Sequence, residues 1–251
     1  MISIIIATKN GGKFLKRSIA SIETQTEKDY EVIVISDGST DNTPDIVREM
    51  QLTRPWLKLI ELNKNIGPGL ARDIGIRESI GEYVAIIDDD DEWIDPDKIS
   101  LQKEFLNKNT EYVLVGSKET DFVNEDGTLL FTYQPEFEDK KIRQKILLEN
   151  QFITSSVMFR KDSYIKSGGF SPMYLAEDYD LWMKMMKLGK VANLDNCKTR
   201  YYTRKSGAHR SNATNMNKVI INLVKKYKCD FPKFWLAIIK AYLRLVLKSD
   251  F

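Results

Sequence analysis

Along the N-terminal third of the chain, short β-branched runs alternate with longer segments whose apolar residues recur at helical spacing. Ile2 to Ala7 is the first such run. It is closed by the turn Lys9-Asn10-Gly11-Gly12, after which Phe14, Leu15, Ile19 and Ile22 share one side of a helix. Tyr30 to Ser36 (YEVIVIS) repeats the strand pattern and stops at Asp37-Gly38-Ser39-Thr40. A helix then opens at Thr43-Pro44, with proline at its first position, and runs through Met50. Leu57 to Leu62 predicts a third strand, Gly69 to Ser79 a helix, and Tyr83 to Ile87 (YVAII) a fourth strand that runs directly into four aspartates. Apolar residues at consecutive positions mark these strands as buried on both faces.

Such alternation predicts an α/β fold with a Rossmann-like, mostly parallel sheet and helices on both of its faces. In sheets of this kind ligands sit in the crevice beyond the carboxyl ends of the strands, so the loops after Ala7, Ser36 and Ile87 should converge. The texture changes near Pro96. A helix is expected over Ile99 to Leu106, a strand over Tyr112 to Gly116, a turn at Asn124-Glu125-Asp126-Gly127 and another strand-like stretch over Gln151 to Phe159. Leu175 to Leu188 reads as a helix, and Asn217 to Leu247 as a terminal helix pair broken at Pro232. The expected organisation is a nucleotide-binding half over residues 1–95, a mixed half of the same domain over 96–205, and a loop with amphipathic helices over 206–251.

Composition narrows the classes. The 251 residues are 42% hydrophobic and 29% charged, as in an ordinary globular chain long enough to bury a sizeable core. With 38 basic and 36 acidic residues the net charge is only +2, and no nucleic-acid partner is expected. The 2 cysteines, Cys197 and Cys229, form no CxxC pair and there is 1 histidine, so a zinc site or disulfide framework has no material; a reducing cytoplasm is the default expectation. Met1 to Thr8 has no charged leader or cleavage site, and Lys9 interrupts it, so it reads as a strand. No apolar stretch approaches the ~20 residues that cross a bilayer.

Asp88-Asp89-Asp90-Asp91 carries the strongest chemical signal, because carboxylates clustered at the end of a buried strand repel one another and a divalent cation relieves that most simply. Oxygen-only ligands point to Mg²⁺ or Mn²⁺, ions that commonly bridge to phosphate oxygens. Asp37, at the tip of the second strand, is placed to accept hydrogen bonds from a base or ribose, or simply to make an Asx turn. Arg72 follows Gly67-Pro68-Gly69 and is topologically near enough to pair with Asp37 or a phosphate. The third glycine of a dinucleotide fingerprint is replaced by Arg72, which rejects a dehydrogenase. Glu177-Asp178 opens a helix, where acids complement the helix dipole; across the crevice from the aspartates, one of them can instead act as a general base.

The order YEVIVISDGSTDNT, GPGLARDIGI, YVAIIDDDDEW, SGGF and AEDYDLWMKM resembles the family 2 inverting glycosyltransferases of the GT-A fold, over about Ile2 to Tyr202. The resemblance implies a nucleotide diphosphate sugar donor, UDP-linked by expectation, a Mn²⁺ or Mg²⁺ cofactor and a glycan or lipid-linked acceptor. By the same resemblance Asp37 contacts the base and Arg72 braces it. Asp88 reaches the ribose and metal, Asp90 is the main metal ligand, and Asp178 is the catalytic base. Thr8 and Asp89 fall in the nucleotide pocket, although the family leaves the position of Asp89 variable, and Asp91 supports the metal loop or the donor sugar. Thr154-Ser155-Ser156 matches the segment lining the donor and acceptor pocket. Lys9 stands where many relatives carry a tyrosine. His209, a further metal-ligand candidate in the polar loop Lys205 to Asn215, comes later than the histidine that often follows a Tyr-Arg pair.

Two other readings of the same residues are a sugar-nucleotide nucleotidyltransferase, for which Asn10-Gly11-Gly12-Lys13 is too sparse a triphosphate loop, and a noncatalytic nucleotide-sugar-binding subunit. In the tail, Lys233, Lys240, Arg244 and Lys248 fall beside Trp235, Ile238, Ile239, Tyr242, Leu245 and Val246 on a helix. That pattern suits peripheral contact with the inner face of a membrane, or packing onto its own domain or a partner, including a second copy.

Overall fold

The computed structural model describes residues 1–203 and 213–247. The first part is β1 (Ile2–Thr8), α1 (Gly12–Glu23), β2 (Tyr30–Asp37), α2 (Thr43–Gln51), β3 (Leu57–Leu62), α3 (Pro68–Glu78) and β4 (Tyr83–Ile86). Then come β5 (Glu92–Trp93), α4 (Lys98–Lys108), β6 (Tyr112–Ser117), β7 (Thr120–Val123), β8 (Leu129–Tyr133) and α5 (Asp139–Lys145). A 3₁₀ turn at Thr154–Ser156 precedes β9 (Met158–Arg160), α6 (Lys161–Lys166), α7 (Glu177–Met186), β10 (Lys190–Leu194), β11 (Thr199–Tyr202), α8 (Ala213–Lys226) and α9 (Phe234–Leu247).

The main sheet has seven strands in the order β10-β6-β9-β4-β1-β2-β3. β1 pairs in parallel with both β2 and β4, and β2 with β3. β9 runs antiparallel to β4 and β6, so it stitches the two halves of the chain into one sheet. Alternate residues of β1 explain the two-sided burial: Ile2, Ile4 and Ile6 pack with Leu15, Ile19 and Val47 of α1 and α2, whereas Ile5 faces the layer of Ala71, Ile76 and Trp182. A four-stranded sheet, β5-β11-β7-β8, stands beside the first.

Two expectations need correction. β3 is the edge strand, and its Lys58 and Glu61 are exposed, so it is not buried on both faces. Gln151 to Phe159 is a strand only from Met158, because the hydroxyl residues before it bond locally. The N–H of Ser156 donates to the Ile153 carbonyl at 2.8 Å and its Oγ donates to the same carbonyl at 2.7 Å, which closes a turn.

The C-terminal helices are fastened to α7 by Asp180, which is fully buried. Its carboxylate accepts from Lys226 Nζ at 2.5 Å, Ser171 Oγ at 2.6 Å and Tyr227 Oη at 2.8 Å, and Lys184 Nζ lies 3.2 Å away. Burial alone would raise this carboxyl, but the hydrogen bonds from Lys226, Ser171 and Tyr227 hold it below its ordinary value of 3.8. Asp180→Asn should lower the unfolding free energy in denaturant titrations by about 3–5 kcal/mol at neutral pH, since it strands buried donors. The folded state is stabilised by the ionised form, so that contribution is complete above pH 3.8 and lost as pH falls through the lower folded value; the gap between wild type and variant should close there. A gap independent of pH would show that the charge of Asp180 is not what fastens the helices.

Candidate active site

The loops that leave β1, β2 and β4 meet at one edge of the main sheet. Asn10 ties the first two together: its N–H donates to Ser39 Oγ at 3.1 Å, and its Oδ1 accepts from the Thr40 N–H at 2.8 Å. Asp37, buried at the end of β2, accepts from the N–H groups of Ile66 and Gly67 at 2.8 and 3.0 Å. Gly67 makes this possible with a φ of 93°, where a side chain would be strained.

The four aspartates diverge in direction. Asp89 turns inward and accepts from Thr8 Oγ1 at 2.5 Å; it lies so close to the first loop that a Cβ on Gly11 would stand 1.8 Å from its Oδ2. Asp91 is fully buried and accepts from Ser155 Oγ and, at 3.0 Å, from the Tyr202 N–H. Burial and the neighbouring charges of Asp90 and Asp88 push its carboxyl well above the usual range. Asp88 and Asp90 are only partly buried. Ser155 Oγ also accepts from the Asp88 N–H at 3.0 Å, Trp93 Nε1 donates to the Ser155 carbonyl at 2.7 Å, and Arg17 Nη2 donates to the Asp90 carbonyl at 2.6 Å.

Arg72 links this loop to the start of α7. Its guanidinium is buried, with Nη2 on Asp88 Oδ1 at 2.6 Å and Nη1 on Glu177 Oε1 at 3.1 Å. Burial, together with the charge of Asp178, raises the Glu177 carboxyl, and the Arg72 charge opposes this. The Asp178 carboxylate is half-buried. It accepts from Thr154 Oγ1 at 2.9 Å and, at 2.7 Å, from the N–H of Tyr179. Ala176, at φ 55°, turns the chain into α7 so that both acids occupy its first turn.

Thus Asp88, Arg72, Glu177 and Asp178 form one constellation. The pairing of Arg72 with Asp37 is corrected: both oxygens of Asp37 are engaged by backbone N–H groups, and Arg72 bonds Asp88 and Glu177 instead. Of the two roles implied for Asp91, support of the loop is the one its burial displays. The Asp95 carboxylate accepts from the Lys198 N–H at 2.6 Å. His209 lies outside the described residues. The roles of Arg17 and Tyr202 carried no signal in the sequence, because an arginine in a helix and a backbone N–H in a short strand look alike everywhere.

The Glycosyl transferase family 2 model matches residues 3–168. The chain belongs to that family. Among curated glycosyltransferases, it is 30% identical to the UDP-Glc:α-D-GlcNAc-diphosphoundecaprenol β-1,3-glucosyltransferase of Escherichia coli over 84% of this chain and 80% of that protein. It is 26% identical to an uncharacterized glycosyltransferase of Methanocaldococcus jannaschii over 100% of this chain and 90% of that one. Among solved structures, the mannosyltransferase of Pyrobaculum calidifontis in complex with GDP-Man and Mn²⁺ superposes with a TM-score of 0.72 at 21% identity, covering 98% of this chain and 70% of that chain. Residues 1–349 of Staphylococcus aureus TarS in complex with UDP-GlcNAc give 0.72 at 20% identity, over 99% of this chain and 73% of that chain. The fold is therefore GT-A, and the chain is a family 2 glycosyltransferase.

Asp88 and Asp90, the partly buried acids of this loop, are the hard oxygen donors that a divalent cation at this edge would meet. Among the described residues no set of three or more Asp, Glu, His or Cys side chains is arranged to hold an ion on its own. A hard cation shared with a ligand's phosphates needs only one or two protein carboxylates.

The Ser155 hydroxyl bonds both a buried acid and the Asp88 N–H, so Ser155→Ala should cost about 1–3 kcal/mol in denaturant unfolding. It should also lower transferase turnover by loosening the aspartate loop. Unchanged stability together with unchanged turnover would show that the hydroxyl does not hold the loop.

Proposed function

We propose that this glycosyltransferase moves a sugar from a nucleotide diphosphate donor, UDP-linked by preference, to a hydroxyl of a glycan or lipid-linked acceptor, inverting the anomeric carbon. One observation carries the reading: the Arg72 guanidinium bridges Asp88, at the end of β4, to Glu177, at the start of α7 beside Asp178. Donor-side acids and a half-buried candidate base are thereby fixed against one another. The E. coli relative, named for a UDP-Glc donor and a diphosphoundecaprenol-linked acceptor, supports the choice of substrates and a place in surface polysaccharide or glycolipid synthesis.

In this reading residues 1–95 bind the donor and 96–205 present the acceptor. Asp37, through the loop it braces at Ile66 and Gly67, shapes the base pocket. Thr8, Asp89 and Asp91 hold the first loop and the aspartate loop in register. A Mn²⁺ or Mg²⁺ ion held by Asp90 and Asp88 would neutralise charge on the departing diphosphate. Asp178 accepts the proton of the acceptor hydroxyl as its oxygen bonds the anomeric carbon from the face opposite the leaving group. The bond from that carbon to the diphosphate oxygen breaks, nucleoside diphosphate departs, and the single displacement inverts the centre. Thr154, by donating to Asp178 Oδ2 at 2.9 Å, orients the base.

Asp178→Asn should reduce turnover by about 10²–10⁴-fold and leave donor affinity, read by thermal shift with Mn²⁺ across UDP- and GDP-sugars, within about threefold of wild type. Chelation with EDTA should abolish transfer, and added Mn²⁺ or Mg²⁺ should restore it. Donor binding with no metal-dependent turnover in any donor and acceptor pairing would instead mark a noncatalytic binding subunit.

A further inference from the structure

α9 presents two apolar faces, and among the described residues only one of them is covered. Ala237, Ile238 and Ala241 are buried and, with Phe234 and Leu245, pack into the core layer shared with α8. The sequence pattern had set Ile238 and Leu245 beside Trp235, Ile239, Tyr242 and Val246; the packing separates them. Trp235, Leu236, Ile239, Tyr242, Leu243, Val246 and Leu247 all face outward, with exposures from 45% at Tyr242 to 76% at Trp235. At 100° per residue these side chains fill an arc of roughly 140°, broader than the seam of a two-stranded coiled coil. A contiguous stripe of large exposed side chains on a helix marks an interaction surface.

The charges around the stripe say what covers it. No acidic residue occurs in α9, and Lys240 and Arg244 border one side of the stripe, with Lys233 just before the helix. Lys225 of α8 reaches over to donate to Tyr242 Oη at 3.1 Å. The only acid between Ala213 and Leu247, Asp230, pairs with Lys187 at 2.9 Å, and Lys240 lies 3.7 Å from Glu149. An apolar stripe bordered by bases, with Trp and Tyr on it, complements the boundary between the headgroups and acyl chains of an anionic bilayer. At 14 residues the helix is about 21 Å long, too short for a hydrocarbon layer of about 30 Å. No described helix is long and apolar enough to cross a membrane. A second copy fits less well: α9 carries Lys240 and Arg244 and no acid, so two such helices face to face would bring like charges together.

We propose that the outer face of α9 docks this glycosyltransferase onto the surface of an anionic lipid bilayer, with the helix lying in the interface. Because Lys226 and Tyr227 fasten α8 to Asp180, docking through α9 also holds α7, and with it Asp178, at the bilayer surface. The consequence, that a lipid-borne acceptor is favoured, rests on the transferase reading; the docking itself does not.

The test is co-sedimentation of the full chain with vesicles of phosphatidylcholine alone or mixed with phosphatidylglycerol, at physiological salt. Sedimentation with the mixed vesicles is expected, with a blue shift of Trp235 emission and its quenching by acyl-brominated lipid, read against Trp235→Phe. The triple variant Trp235→Ser, Ile239→Gln, Leu243→Gln changes only exposed positions and should lower partitioning about tenfold or more. Lys233→Gln with Lys240→Gln and Arg244→Gln should remove the preference for phosphatidylglycerol. Wild-type protein left in the supernatant, or a triple variant that binds as well as wild type, overturns the proposal. So does a wild-type dimer, seen by sedimentation velocity, that the triple variant dissociates while vesicles capture neither form. Vesicle binding needs no sugar nucleotide, so its failure leaves the transferase reading standing, and loss of turnover leaves the docking standing.

Discussion

Four carboxylates in sequence at the end of a buried strand repel one another, and the surrounding structure is arranged to contain that repulsion. Arg72 takes one oxygen of Asp88, Thr8 takes Asp89, and Ser155 with the Tyr202 N–H takes Asp91. Each of these partners comes from a different element, so the containment also fixes β1, α3, the Thr154–Ser156 turn and β11 around the tip of β4. Charge on a single loop thereby sets the relative position of segments far apart in sequence. Burial makes the arrangement strict, because an unpaired acid at the fully buried position of Asp91 would be costly.

The same constraint accounts for Glu177. A guanidinium buried between two carboxylates is a compensated charge, and the Arg72 to Glu177 contact spans 105 residues of sequence. The bond locks the first turn of α7 to the aspartate loop, and Asp178 is carried with it. Were Asp178 the base proposed above, it would be aligned by its neighbours before any acceptor arrives, the condition under which proton removal accelerates attack.

The βαβ rhythm through β4 was legible because parallel strands covered by helices on both sides leave continuous apolar runs, as in Ile2–Thr8 and Tyr30–Asp37. The second half was not, for physical reasons. β5 and β9 have only 2 and 3 residues, too few for any period to show, and β8 exposes Leu129, Leu130 and Phe131 in succession, so neither face is marked. In the site, the identities of the acids and of Arg72 stood out from their types and placement. Their pairings did not, because which carboxylate meets Arg72 is decided by how α7 packs. Asp37 shows the difference well: a polar tip at the end of β2 predicts a ligand contact and an Asx turn equally, and its two backbone N–H partners, Ile66 and Gly67, become visible only in three dimensions.

A fully buried aspartate two positions beyond a candidate base is a liability unless it has a structural task, and the task of Asp180 is legible in its partners. Lys184, one turn further along α7, and Ser171, from the loop before it, hold it on one side, and Lys226 and Tyr227 hold it from the C-terminal helices. The helix that bears the candidate base is thus the helix to which the C-terminal pair is bonded. Apolar packing alone could have seated α8 and α9, yet it would tolerate sliding along the interface. A short, multiply bonded ion cluster does not slide, since each of its hydrogen bonds is lost within a fraction of an ångström. Whatever engages the outer face of α9 therefore engages a rigid extension of α7, and the orientation it imposes is transmitted to the first turn of that helix, where Glu177 and Asp178 stand.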